Sequence, residues 1–275
     1  MSLAFCSLSS GSSGNSYLIK TENTAVLIDA GISASRILKE LARTDTPREN
    51  VRALLLTHEH IDHVRGARVL LKKLCSAAVY SSPGTLDGTI RHDIHLRLSF
   101  EKEIEPSRRF TITPDEVVSI GDLKIRAFRT LHDAKEPYGY YITSADKSIA
   151  LLTDTGIVTD EIIDSVKTAD VLVLESNHDT DMLRYGRYPY YLKQRILSDY
   201  GHLSNNQAAE ALIKLFDRHD KKRVVLLAHL SKENNSPSVA EQTVLAALAR
   251  KGFSTGSDLY MGVLKRDEAS LLYQL

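Results

Sequence analysis

The chain has 275 residues, 43% of them hydrophobic and 25% charged, with 35 basic and 35 acidic side chains in balance. That is the composition of a globular protein with a sizeable core, and a zero net charge gives no overall field for attracting polyanions, so a nucleic-acid substrate would need a local basic patch. The two cysteines, Cys6 and Cys75, are too few for a disulfide framework or a thiolate metal cluster.

The opening MSLAFCSLSSGSSGNS has no basic n-region and too short an apolar run for a signal peptide. No stretch approaches the roughly 20 apolar residues that span a bilayer. No membrane partner and a cytoplasmic location are therefore expected. Short runs rich in Val, Ile, Leu and Tyr predict strands at 3–8, 17–20, 25–29, 51–56 and 78–81, with helices at 34–42 and 64–74 between them. Residues 91–115 form the most irregular stretch and are expected to be loops over a site. Strands follow at 124–131, 138–143, 148–153, 171–175, 223–228 and 259–265, and helices at 160–166, 205–218 and 238–250. In NNQAAEALIKLFDR, Ala209, Leu212, Ile213 and Phe216 fall on one face behind a Ser204 N-cap. Hairpin-like strands first, then strands alternating with helices, predict an α/β architecture of mixed sheets covered by helices. No Pro/Gly/Ser-rich linker divides it, so 1–275 is expected to be one domain.

The strongest motif is THEHIDH, Thr57 to His63, between the strand VRALLL and a helix. His58 and His60 are two apart on extended backbone, so their imidazoles share a side and can share a metal ion. Asp62 and His63 come where the chain turns into the helix and can face a second ion. Three histidines and one carboxylate do not fill two sites, and further donors stand at strand ends: His132 after LKIRAFRTL, Asp154 after SIALLT and His229 after RVVLLA. A lone His or Asp at such a place is usually a satisfied polar residue. Here the HxHxDH cluster needs partners, and strand ends are where sites form.

HxHxDH followed by a single His, a single Asp and a final His resembles the metallo-β-lactamase superfamily over nearly the whole chain. The resemblance implies an αββα sandwich with its site at one edge of two sheets. It implies one metal held by His58, His60, His132 and Asp154, and a second held by Asp62, His63, Asp154 and His229, with Asp154 bridging. A water between the ions would be the nucleophile, with Asp62 orienting it as a catalytic residue. The donors are all N or O, which suits two divalent ions of Zn, Mn or Fe. The phrases SLSSGSSGNSYLI, LIDAG, HDAKEPYGY, ESNHD, YPYYLKQRI, GHLSNNQAA and LLAHLSKENNSP resemble the YycJ/WalJ-like branch, described as bacterial cytosolic DNA exonucleases. That branch shares a His–Ser pair before an Ala-rich helix with tRNA-processing enzymes of the ribonuclease Z type. By that comparison His202 matches a proton-donating His and is the second catalytic residue.

Other features divide between plain and functional readings. LSSGSSGNS lacks the Gly-Lys-Ser/Thr ending of a phosphate loop; it reads as a tight turn, with a phosphate contact through Ser13 or Asn15 as the alternative. His178, in ESNHD, is expected to support the site or contact substrate, with direct metal ligation as the alternative. RYGRYPYYLKQR carries four basic residues (Arg184, Arg187, Lys193 and Arg195) and four tyrosines without an acid. It is either a solvated loop and helix face or a patch that holds phosphates while tyrosines stack on bases. The expected reaction is phosphodiester hydrolysis on DNA from an end. The alternatives are hydrolysis of a small cyclic phosphodiester, hydrolysis of an amide, thioester or lactone, and a non-catalytic metal sensor.

Overall fold

The structure, a computed structural model, describes residues 2–91, 104–219 and 221–275. Among them the first half gives β1 (Ala4–Ser9), β2 (Ser16–Lys20), β3 (Ala25–Ile28), α1 (Ala34–Arg43), β4 (Val51–Leu55), α2 (Ile61–Val64), α3 (Ala67–Lys73), β5 (Ala78–Ser81), α4 (Pro83–Arg91) and β6 (Arg109–Thr111). The second half gives β7 (Val117–Ile120), β8 (Leu123–Arg129), β9 (Tyr138–Ser144), β10 (Lys147–Leu152), α5 (Asp160–Val166), β11 (Val171–Glu175), α6 (Thr180–Tyr185), α7 (Tyr190–Leu197), α8 (Asn205–Arg218), β12 (Arg223–Ala228), α9 (Pro237–Ala249), β13 (Leu259–Val263) and β14 (Tyr273–Gln274).

The strands form two seven-stranded sheets, ordered β14-β1-β2-β3-β4-β5-β6 and β13-β12-β11-β10-β9-β8-β7. Each is antiparallel on one side and parallel on the other: the change falls at β3–β4 in the first and β10–β11 in the second. Three buried clusters show the layering. Phe5, Tyr17, Val26 and Leu55 of the first sheet meet Ile125, Tyr140, Leu151 and Val173 of the second in a central core. Leu18, Leu27 and Leu54 face outward onto Ile37 and Leu41 of α1 and Leu70 and Leu71 of α3. Leu152, Leu174 and Leu227 face outward onto Ile162 of α5, Leu212 of α8 and Val244 of α9. Helix, sheet, sheet and helix are thus held by three separate apolar interfaces, an αββα sandwich. Alternating strands dictate it, because residues i and i+2 share a face and each sheet must bury both.

The helix expected at 64–74 begins later, as α3 at Ala67, and Arg65–Gly66 separates it from the short α2 that carries the end of the motif. Gly66 packs so closely that a Cβ there would sit 2.0 Å from Ile32 O, and its amide donates to Ala30 O. Its backbone is thereby tied to the turn after β3. The edge strands β6, β7 and β14 and the helices α4, α6 and α7 have no counterpart in the sequence expectation. Part of the irregular stretch expected at 91–115, residues 92–103, lies outside the described residues; the remainder includes β6. No described helix is long and apolar enough to cross a membrane.

Candidate metal centre

The carboxyl ends of β3, β4, β8, β10, β11 and β12 converge on one edge of the sandwich. Asp29, His58, His132, Asp154, Glu175 and His229 stand at or just beyond these ends. Three of them, Asp29, Asp154 and His229, have left-handed backbones with φ of 58°, 57° and 57°. Non-glycine residues rarely adopt that conformation, and it persists only where surroundings over-determine it. Around His229 they do. Its amide donates to Ser10 Oγ at 2.9 Å, and its carbonyl accepts from Asn177 Nδ2 at 2.9 Å.

Six imidazoles form a closed ring in the order His58, His60, His132, His202, His229 and His63, with neighbouring centroids 4.1–5.8 Å apart. Two trios with no member in common are compact enough to hold a cation, since the donor atoms of each lie within 4.8 Å of one another: His58, His60 and His132, and Asp62, His63 and His229; a third trio, His58, His63 and Asp154, shares a member with each. Asp154 stands between them. Its Oδ1 is 3.9 Å from His132 Nε2 and 3.1 Å from His229 Nδ1, and its Oδ2 is 3.4 Å from His63 Nε2. All seven residues expected as ligands are therefore brought together.

The other ring nitrogens are committed outward. His132 Nδ1 donates to Gly201 O at 3.0 Å and His63 Nδ1 to Asp29 Oδ2 at 2.7 Å. His58 Nδ1 is 3.0 Å from Thr57 Oγ1. These bonds fix the tautomers that leave Nε2 facing the centre, as metal-ligating histidines require. His58 Nε2, His229 Nε2 and Asp154 Oδ2 are buried with no hydrogen-bond partner. Unpaired buried polar atoms are costly, and divalent cations held by the two trios with Asp154 would satisfy them. Imidazole nitrogens and carboxylate oxygens in this number suit a divalent transition-metal ion.

Charge follows the same arrangement. Burial opposes ionisation of Asp62, but His63 and His229 hold its carboxyl down at about 2. Burial opposes charge on His63, yet Asp154, Asp29 and Asp62 raise it to about 9. Burial pushes His132 down to about 4 against the pull of Asp154.

A fourth grouping, Asp154, Glu175, His202 and His229, has a different character. Glu175 Oε1 accepts from His202 Nδ1 at 2.7 Å and from His229 Nδ1 at 3.0 Å, while Oε2 accepts from the amides of Thr155 at 3.0 Å and Leu203 at 3.3 Å. With those nitrogens donating, this is a hydrogen-bonded support. His202 thus lies beside the trios, held by Glu175, with its side chain 15% exposed.

The remaining expected residues are more scattered. His178 is buried, neither ring nitrogen has a partner, and it joins none of the four groupings. Burial pushes it down to about 4. Arg195, on α7, donates from Nε and Nη2 to the two carboxylate oxygens of Asp133, and Asp133 Oδ1 lies 3.3 Å from His132 Nε2. Lys193 turns back onto the carbonyls of Arg184 and Gly186, both at 2.8 Å. Arg184 and Arg187 are exposed, as are Tyr185, Tyr190 and Tyr191. The segment is two short helices joined by a bend.

Sequence reasoning gave no role to Asp29, Glu175 or Asp133, and offered Asn15 only a phosphate contact. The signal that found Asp154, an acid closing an apolar strand, was present equally in LIDAG and VLVLE. The serine-rich turn is a brace: Asn15 is buried, its amide donates to Asp62 O at 2.8 Å, and its Nδ2 lies 3.1 Å from His63 Nε2. Ser13 is exposed, and its carbonyl accepts from Arg65 Nη1 at 3.3 Å.

The model of the beta-lactamase superfamily domain matches residues 24–230. The chain is similar to an exodeoxyribonuclease WalJ of Streptococcus pneumoniae, 37% identical over 268 residues, covering 98% of this chain and 96% of that one. It is also similar to an exodeoxyribonuclease YycJ of Bacillus anthracis, 37% identical over 256 residues and 93% of each. Among solved structures, the metallo-beta-lactamase fold protein YhfI of Bacillus subtilis superposes with a TM-score of 0.72 over 100% of both chains at 17% identity, a likeness of fold. The chain belongs to the metallo-β-lactamase superfamily, on the branch that holds WalJ and YycJ.

Proposed function

We propose that this protein is a metal-dependent phosphodiesterase that hydrolyses DNA from an end. The observation that carries the reading is two metal-competent trios sharing Asp154, with His202 held by Glu175 beside them. The full-length similarity to proteins named exodeoxyribonucleases supports DNA as the substrate.

In this reading His58, His60, His132 and Asp154 would hold one divalent ion, and Asp62, His63, Asp154 and His229 would hold the other. The nitrogen and oxygen donors suit Zn, Mn or Fe, and such ions would supply Lewis acidity that makes a water nucleophilic and offsets charge on the phosphoryl group. Asp62 orients the attacking water through its carboxylate. His202, its Nδ1–H tied to Glu175, presents Nε2 to protonate the departing oxygen. Arg195 keeps a cation at the rim while anchoring Asp133. Arg184 and Arg187 meet the phosphates of the strand, Lys193 fastens the end of α6 and the bend after it, and exposed tyrosines stack on bases. His178 is too buried to reach a strand at the surface and supports the loop that carries His202.

The test is a substrate panel. Metal-reconstituted protein is expected to hydrolyse end-labelled DNA and bis(p-nitrophenyl) phosphate and to leave nitrocefin intact. Turnover of nitrocefin with no action on either phosphodiester would refute the reading.

A further inference from the structure

We infer that the groove between α1 and α3 is a second phosphate-binding surface, gripping the DNA backbone away from the catalytic centre. The inference rests on the DNA-hydrolase reading above and adds a surface to it.

The groove encloses about 450 Å³ and is lined by Ser35, Leu38, Lys39, Arg48, Val69 and Lys73, without a carboxylate. Its cations come from three elements: Lys39 from α1, Lys73 from the end of α3, and Arg48 from the turn before β4. All three are exposed, and none makes an ion pair or a side-chain hydrogen bond among the described residues. Neighbouring cations are committed: Arg36 donates to Leu8 O at 3.1 Å, and Arg43 pairs with Glu40. Three uncompensated positive charges around one concavity are conspicuous on a chain whose net charge is zero. Desolvating them would require an anion, and closely spaced phosphates supply one per cation.

The groove's place in the fold sets the ligand. α2 carries Asp62 and His63, and α3 follows two residues after it, so Lys73 lies at the far end of a helix that starts beside the centre. Seven helical residues extend about 10 Å, the length of about three base-pair steps. Arg65, exposed and bonded to the Ser13 carbonyl of the brace loop, stands at the near end. Arg65, then Lys73 with Lys39 and Arg48, makes a track leading away from the centre. A mononucleotide or a small ester at the centre would not touch the groove. A duplex with one end at the centre would lay its backbone there.

The experiment measures DNA affinity by fluorescence anisotropy over a range of salt concentrations. It compares wild type with the triple variant Lys39→Gln/Arg48→Gln/Lys73→Gln and the charge-preserving Lys39→Arg/Lys73→Arg. The ligands are a duplex of about 20 base pairs and a dinucleotide. On the duplex, the slope of log affinity against log salt is expected to flatten by about 0.9 per cation, so by about 2 to 3 in the triple variant. The arginine variant should keep the wild-type slope. Hydrolysis of bis(p-nitrophenyl) phosphate, which cannot reach the groove, should proceed at the wild-type rate in both and serves as the control for folding. An unchanged duplex slope in the triple variant would overturn the inference and leave the catalytic reading standing. So would loss of binding to anionic lipid vesicles with the DNA slope unchanged, which would make the groove a lipid contact. A wild-type protein that cleaves the small ester but neither binds nor cleaves DNA would overturn the substrate reading and this inference with it.

Discussion

His63 and His202 are each tied by Nδ1 to a buried carboxylate, Asp29 in one case and Glu175 in the other. The two pairs should nonetheless fail differently. Asp29→Asn preserves shape but removes the charge that fixes the His63 tautomer. Supporting partners of this kind typically contribute 10–100-fold to metal affinity, so chelator competition should show weaker binding by about that factor. Affinity equal to wild type would remove Asp29 from the support of the centre. His202→Ala should leave metal content unchanged and lower kcat about 10²–10⁴-fold, the usual contribution of a positioned acid. Metal lost in proportion to activity would instead make His202 a ligand. The motif residues were legible because HxHxDH is dense and its spacing has a geometric reason. Asp29 and Glu175 were not, because an acid closing a strand has no meaning in sequence until the histidine it faces is known.

At the scale of elements, strands and the longer helices announced themselves through alternation and amphipathic spacing. α7 did not, since Ile196 is its only buried residue and its N-cap, Pro189, makes no side-chain bond. Its face is polar and aromatic, so no 3.6-residue apolar rhythm exists to read. The edge strands β6 and β14 are three and two residues long, below what alternation can register. The break between α2 and α3 was hidden because it arises from a contact with the turn after β3, far from Gly66 in sequence. Gly31 shows the same dependence: a Cβ there would lie 1.6 Å from Asp62 O. Gly31→Ala must therefore push the Asp62 loop away, and metal content should fall below one ion per chain by elemental analysis. Full occupancy in that variant would mean the loop tolerates the shift. For α6 and α7, Arg184→Gln/Arg187→Gln should flatten the salt dependence of DNA affinity by about 0.7–0.9 per contact. Tyr190→Ala and Tyr191→Ala should each cost about 1–3 kcal/mol in DNA binding with the slope retained. Wild-type behaviour in all of them would remove these helices from the substrate path.

Across the whole molecule, two sheets of the same design meet so that the ends of their strands supply one centre from both halves. THEHIDH and Asp29 come from the first sheet, and His132, Asp154, Glu175 and His229 from the second. Tyr140 of the second sheet donates its hydroxyl to Leu56 O of the first at 2.7 Å, and the Tyr138 amide donates to Thr57 O at 2.9 Å, fastening the halves directly behind the motif. The order of the candidate ligands was readable in sequence because each strand delivers its donor at its own end. The two-sheet fastening was not, since it joins residues about 80 positions apart. The central claim is that this joint centre cuts DNA from an end. It is tested most directly by giving the metal-loaded protein one plasmid in two forms, linearised and covalently closed, and following nucleotide release over time. The account predicts progressive release from the linear form, none from the intact circle, and none from either after chelation or in His58→Ala. Equal cleavage of the closed circle, or release that survives removal of the metal, would contradict it.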